Sequence, residues 1–176
     1  VGHAYGYASF VTHEPCDEQD LPDFYRRAGR TMALLHVLSA SDCHFENLIA
    51  HGTELTLIDA ETLFEVQAQV LVAQVQDQVP ENIDGWILSL GMLPTPRAYA
   101  AGGKLFDASA LGVPSASGHA DLEERAWINV NTDAMMAGVR TVQQPQPGSL
   151  PVAAGTENPV VTYVNDLVAG FTEIYK

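Results

Sequence analysis

Apolar positions recur along this chain with more than one period, and each period predicts a different element. Leu21, Phe24, Ala28, Met32 and Leu35 stand three or four residues apart, the spacing of one helix face. Asp20-Leu-Pro-Asp23 just ahead of them offers a capping residue, a proline tolerated in the first turn and an acid three positions on. The pattern predicts a helix from Asp20 to about Leu38. Two strand-sized apolar runs follow, Asn47 to His51 and Leu55 to Ile58, separated by Gly52-Thr53-Glu54, which predicts a β-hairpin. Val66 to Val79 mixes apolar residues with glutamines and reads as a helix ended at Pro80-Glu81-Asn82. Ile87 to Leu93 reads as a buried strand or short helix before Pro94, and Thr95 to Gly118 as a Gly, Ala and Pro-rich excursion. Gln143 to Gly155 is a loop by composition, and Asn158 to Lys176, with Tyr163, Leu167, Phe171 and Ile174, a final amphipathic helix. Val1 to Cys16 has no helical period and suits a linker or entering strand.

At 176 residues and 47% hydrophobic, the chain has enough apolar material for one domain with a real core. It starts at Val1 without Met and ends inside an amphipathic run, so it reads as a fragment. The charge of −14, from 8 basic against 22 acidic residues, argues against nucleic acid as a partner, because little cationic surface is available to displace counterions. The two cysteines, Cys16 and Cys43, are too few for a disulfide framework, and neither a signal peptide nor an apolar run of membrane-spanning length is present. The cytoplasm is the expected compartment, without stable membrane insertion. Arg26, Arg27 and Arg30 read as a solvated helix face, with phosphate ligation as the other reading. His3 and His13 have no metal-ligand partner at a usual spacing and read as surface or packing residues.

The chemistry-bearing polar residues crowd around the hairpin. Asp42 precedes Asn47 by five positions, His44 lies between them, and Asp59 and Glu61 follow the second apolar run. Phosphoryl transfer asks for such a set: a carboxylate at the acceptor hydroxyl, and hard oxygen ligands holding Mg²⁺ against a phosphate. A hairpin between Asn47 and Asp59 would bring these two ligands toward one cation. Asp42 and His44, two apart, share one side if the segment is extended, as do Asp59 and Glu61. Cys43, inside the same loop, reads as a small buried filler rather than a nucleophile.

The pattern resembles a kinase catalytic loop, with departures: no His-Arg precedes Asp42, and Asp59 is followed by Ala-Glu rather than Phe-Gly. Asp42-x-His44-x-x-Asn47, a hairpin, then Ile58-Asp59 is similar to the lipid-kinase form of the loop. Taken with Asn47-Leu-Ile-Ala, Ile58-Asp-Ala-Glu-Thr-Leu-Phe64 and the preceding helix, it most resembles the dehydratase domain of class II lanthipeptide synthetases. Weaker matches are Leu90-Gly-Met-Leu-Pro94, Phe106-Asp-Ala-Ser-Ala-Leu-Gly112 and Trp127 to Met135.

This resemblance implies an α+β fold, the larger lobe of a protein- or lipid-kinase-like domain, mainly helical with a catalytic-loop hairpin, over residues 1–176. It implies phosphorylation of Ser and Thr in a ribosomally made precursor peptide with ATP and Mg²⁺, followed by phosphate elimination to dehydroamino acids. Asp42 would be the loop aspartate, His44 its partner, Asn47 and Asp59 the metal and ATP ligands, and Glu61 an auxiliary. The family's ATP-anchoring lysine would lie upstream and the zinc-dependent cyclase elsewhere in the synthetase chain, so residues 1–176 alone should be inactive. The alternatives are a small-molecule phosphotransferase of the aminoglycoside kind, which shares the Asp-to-Asn spacing, and a catalytically inactive peptide-binding scaffold. Asn129, Asn131 and Asp133 alternate as in a calcium loop, but the glycine and terminal glutamate of such a loop are missing.

Overall fold

Why the first apolar face folds as it does is visible in the computed structural model, which describes residues 6–64, 85–95, 97–99, 104–112, 122–142, 148–151 and 159–176. A 3-10 turn over Glu18–Asp20 leads into α1, Leu21–Val37. Asp20 holds the capping position, but its side chain makes no capping hydrogen bond, so its contribution there is limited to its charge near the helix N-terminus. Leu21, Phe24, Tyr25, Ala28, Met32 and Leu35 are buried on one face, as their spacing predicts. Burying such a face stabilises the helix far more than its intrinsic propensity does.

That face meets the last helix. Residues 159–176 form α3 (Pro159–Thr162) and α4 (Val164–Ile174), broken at Tyr163 rather than continuous; Gly85–Ser89 forms the short α2. The backbones of α1 and α4 touch: a Cβ at Gly29 would collide with the carbonyl oxygen of Leu167, and one at Gly170 with that of Arg26. Glycine is required at both because no side chain fits. Tyr25 stacks on Tyr163, with ring centroids 5.2 Å apart and planes 8° from parallel. The arginines of α1 point outward into ion pairs: Arg26 and Arg30 reach Glu173 of α4 at 3.3 and 2.6 Å, and Arg27 reaches Glu54. Each is partly exposed and contributes about 0–1 kcal/mol. These are surface fasteners, which favours the solvated-face reading of the three residues.

The predicted hairpin is formed by β1 (Leu48–His51) and β2 (Glu54–Leu57), antiparallel, with Leu48 opposite Leu57 and His51 opposite Glu54. The turn is one residue shorter than the sequence suggests, because Glu54 pairs within the ladder, and Gly52 adopts the left-handed φ of 56° that the tight turn demands. Leu48, Ala50 and Leu55 join the α1 face, together with Ala40, Cys43, Leu90, Met92, Ala110, Leu111, Val160 and Leu167, in one core.

The outer edge of β1 is covered by two irregular segments. Glu14 N–H donates to Ala50 O and Ala50 N–H to Gly148 O, while Cys16 N–H donates to Pro151 O. His13 Nε2–H donates to Leu150 O at 2.8 Å, in keeping with a packing role.

Two elements were not legible in the sequence. The Gly-rich excursion contains a short antiparallel ribbon, β3 (Arg97–Tyr99) with β4 (Lys104–Phe106). Residues 115–146 make a separate compact unit whose described part is the hairpin β5 (Leu122–Ile128) with β6 (Met136–Val142). Asn129 and Asn131 both sit at left-handed φ in its turn, which explains these asparagines as turn chemistry. The helix expected over Val66 to Val79 lies outside the described residues, as does His3. Among the described residues, no helix is long and apolar enough to cross a membrane.

Candidate active-site loop

The loop begins where α1 is forced to stop. Ser39 takes a left-handed φ of 51°, its N–H donates to His36 O, and Ala40 N–H donates to Leu35 O. This pair of bonds satisfies carbonyls left open at the helix end and turns the chain sharply away. Asp42, with φ 58°, is a second left-handed residue. The segment is therefore not extended, contrary to the expectation that alternation alone would put Asp42 and His44 on one side. A turn brings them together instead: His44 Nε2 lies 3.4 Å from Asp42 Oδ1. Asp42 is half exposed and His44 about a quarter, so the pair faces solvent while Cys43 between them is buried against the core.

Cys43 is held by its N–H to Leu90 O at 2.7 Å. Burial, and then the neighbouring Asp42 charge, push its thiol up to about 11. A thiol so poised stays protonated at neutral pH and is a poor nucleophile, in line with the filler reading.

Asn47 closes the loop. Its Nδ2 donates to the backbone carbonyl of Asp42 at 2.9 Å. A carbonyl can only accept, so the amide nitrogen must face it and Oδ1 is the atom left for another partner. The backbone of Asn47 also starts the hairpin, for its carbonyl accepts from Ile58 N–H at 2.9 Å. Ile58 in turn delivers the chain to Asp59, so the ribbon returns the second carboxylate to the end where Asn47 lies. Asp59 Oδ1 accepts from Glu61 N–H at 3.2 Å, which makes residues 59–61 a side-chain-closed turn rather than an extended pair. Thr62 Oγ1 donates to Ser41 O at 2.5 Å, and Phe64 N–H to Leu38 O at 2.9 Å, tying the segment after the hairpin to the start of the loop.

Asp42, His44 and Asn47 are thus linked by direct contacts, while Asp59 and Glu61 are placed by the hairpin and by the ties from Thr62 and Phe64. No group of three or more His, Cys, Asp or Glu side chains suited to a metal occurs among the described residues. Asn47 Oδ1 and the Asp59 carboxylate are hard oxygen donors, and a two-donor set fits Mg²⁺, which keeps waters and takes substrate phosphates as its remaining ligands. An open depression near the start of α1, lined by Asp17, Glu18, Gln19 and Tyr163, includes no loop residue, and its acids do not suit a phosphate. Thr62, Asp107 and Ser109 were not found by sequence reasoning. Thr62 and Ser109 meet the loop at the backbone of Ser41 and His44, Asp107 bonds the backbone of Ser109, and pairwise spacing gives no sign of these contacts.

Residues 2–176 match the profile of the family described as a domain of unknown function, DUF4135, and the chain belongs to that family. It is also 27% identical over 181 residues to the lacticin 481/lactococcin biosynthesis protein LcnDR2 of Lactococcus lactis subsp. lactis. That alignment takes in 98% of this chain and 19% of the relative, so the chain spans about a fifth of that protein's length. The resemblance to class II lanthipeptide synthetases read from the residues is borne out by these two matches. No solved structure matches.

Proposed function

We propose that this chain carries the phosphorylation half-site of a lanthipeptide dehydratase, within the larger lobe of a kinase-like domain. The observation that carries the reading is the cluster on one loop: a solvent-facing carboxylate, Asp42, with an imidazole 3.4 Å away, and Asn47 bonded to the Asp42 backbone. The relative's role in lacticin 481 biosynthesis supports a peptide as the substrate.

In this reading Asp42 accepts the proton of a Ser or Thr hydroxyl of the precursor peptide as that oxygen attacks the terminal phosphorus of ATP, the bond from that phosphorus to the bridging oxygen breaks, and ADP leaves. His44 holds the carboxylate in its reactive orientation. Asn47 Oδ1 and Asp59 hold Mg²⁺, which when bound neutralises phosphate charge. Positioning supplies most of the rate in this chemistry, so the bonds fixing Asn47 and Asp42 matter as much as their charges. In the elimination that follows, a base from elsewhere in the synthetase takes the Cα proton as the Cβ–O bond breaks, releasing phosphate and leaving a dehydroamino acid. Glu61 is an auxiliary beside Asp59. The setting is cytoplasmic, with the rest of a synthetase chain supplying the phosphate-anchoring lysine.

The test is mass spectrometry of precursor peptide incubated with ATP, Mg²⁺ and the synthetase polypeptide bearing this chain. Phosphate gain or water loss is expected for the native sequence, and neither for Asp42→Asn. Modification that survives Asp42→Asn undiminished would overturn the assignment.

A further inference from the structure

Asp107 is a buried carboxylate, 7% exposed, on a segment to which nothing so far assigns a role. Burying a charge without partners is costly, so its hydrogen bonds show what it is for. Oδ1 accepts from Ser109 N–H at 2.9 Å and from Thr95 N–H at 3.3 Å, donors from two different stretches of chain. Oδ2 is packed against Gly112, where any Cβ would collide with both Asp107 and Ser109. The carboxylate is therefore immobilised from both sides.

What it immobilises lies along the candidate loop. Ser109 pairs with His44 in an antiparallel bridge, and Phe45 N–H donates to Ala108 O at 3.2 Å. The same strip is locked to the segment that holds Cys43: Ala110 N–H donates to Gly91 O at 3.0 Å and Leu111 N–H to Met92 O at 2.9 Å, while Cys43 N–H reaches Leu90 O. Residues 43–45, 90–92 and 107–111 thus form one interlocked patch of backbone.

We propose that Asp107 is a positioning residue for the loop: its carboxylate fixes the strip that sets the backbone of His44 and Phe45, and through it the approach of the His44 imidazole to Asp42. The proposal rests on the reading of Asp42 and His44 as the reacting pair. Asp107 itself faces the strip and takes no part in the chemistry.

Two measurements test it. Amide hydrogen exchange on the 176-residue chain needs no turnover: Asp107→Leu should speed exchange over residues 42–46 by about tenfold while α1 keeps its protection. In the synthetase polypeptide, the same variant should lower kcat for peptide phosphorylation by about tenfold with KM for ATP and peptide held within about twofold. Asp107→Asn keeps an oxygen at the Oδ1 position and should restore both readouts to within about threefold of the native values. Gly112→Ala, which pushes the carboxylate from its seat, is the second variant should Asp107→Leu fail to fold, and should reproduce the loop-confined change. Exchange that rises equally in α1, or a loop and kcat unaffected by both variants, overturns the proposal. A native synthetase that does not phosphorylate at all instead sinks the functional reading, and the exchange experiment still decides the role of Asp107.

Discussion

The side-chain amide of Asn47 donates to the backbone carbonyl of Asp42 at 2.9 Å, tying the last polar residue of the loop to the first. The consequence is counter-intuitive for Asn47→Asp. A carboxylate is the better Mg²⁺ ligand, but it has no proton to donate, so two acceptors would face each other across a distance now spanned by a hydrogen bond. The bond is solvent-exposed, so its loss costs about 0.5–1.5 kcal/mol, and phosphorylation should fall by up to about tenfold. A rate equal to or above the native one in the peptide mass assay would show that metal affinity outweighs loop geometry.

Asp59→Asn should abolish phosphorylation by the synthetase while leaving the thermal midpoint of the chain within a few degrees. The neutral amide still accepts from Glu61 N–H, so the turn survives, but it cannot hold Mg²⁺ against a triphosphate. Peptide phosphorylated at the native rate would remove Asp59 from the metal site.

Gly170→Ala should destabilise the fold by about 1–3 kcal/mol, because the added methyl enters the space of the Arg26 carbonyl and α1 must move off α4. Gly29→Ala should act in the same way against Leu167. Urea titration followed by circular dichroism reads the change; an unmoved midpoint for both would mean that the helices do not cross this closely.

Cys43 gives a pH signature. Its folded pKa, about 11, is raised from an ordinary 9.0, so its protonated form is favoured in the folded state. The associated stability is complete below pH 9 and is lost as pH rises toward about 11. Cys43→Ala should flatten that part of the stability curve, and in the native chain Cys16, partly exposed, should react with a maleimide before Cys43 does. Equal labelling rates at neutral pH would contradict the burial of Cys43.

Residues 1–176 by themselves should neither phosphorylate nor dehydrate a peptide in excess ATP and Mg²⁺. The only lysines are Lys104, in β4, and Lys176, at the last position, and the proposed mechanism takes its phosphate-anchoring lysine from elsewhere in the synthetase. Turnover by the chain alone, seen as mass change in the peptide, would show that the division of labour is wrong.

Periodicity foretold α1 to within a residue because a helix that buries one face must repeat its apolar positions, and Leu21 to Leu35 do so. The β1–β2 hairpin was legible for a similar reason, since two short apolar runs flank a glycine that can take the turn. The contact between Asp42 and His44 was expected from alternation but arises from a left-handed Asp42, a conformation that sequence spacing does not encode. Asp107 was invisible as a supporting group because its partners are backbone N–H groups, one of them twelve residues away, and every residue but proline carries one. Composition pointed to an irregular excursion where β3 and β4 pair, and β5–β6, to which no element was assigned, lacked clean two-residue alternation.

The covered edge of β1 sets an order of assembly. The Ala50 amide is satisfied by Gly148, nearly a hundred residues later in the chain, so a nascent polypeptide that has completed the loop and its hairpin has the Glu14 segment on that edge but still leaves the Ala50 N–H uncovered. At about 5–20 residues per second of synthesis, that edge waits some seconds for its cover. Premature termination before residue 148 should therefore leave a product that carries every polar residue of the loop yet is prone to edge-to-edge association, so the chemistry proposed for the loop depends on a segment outside it.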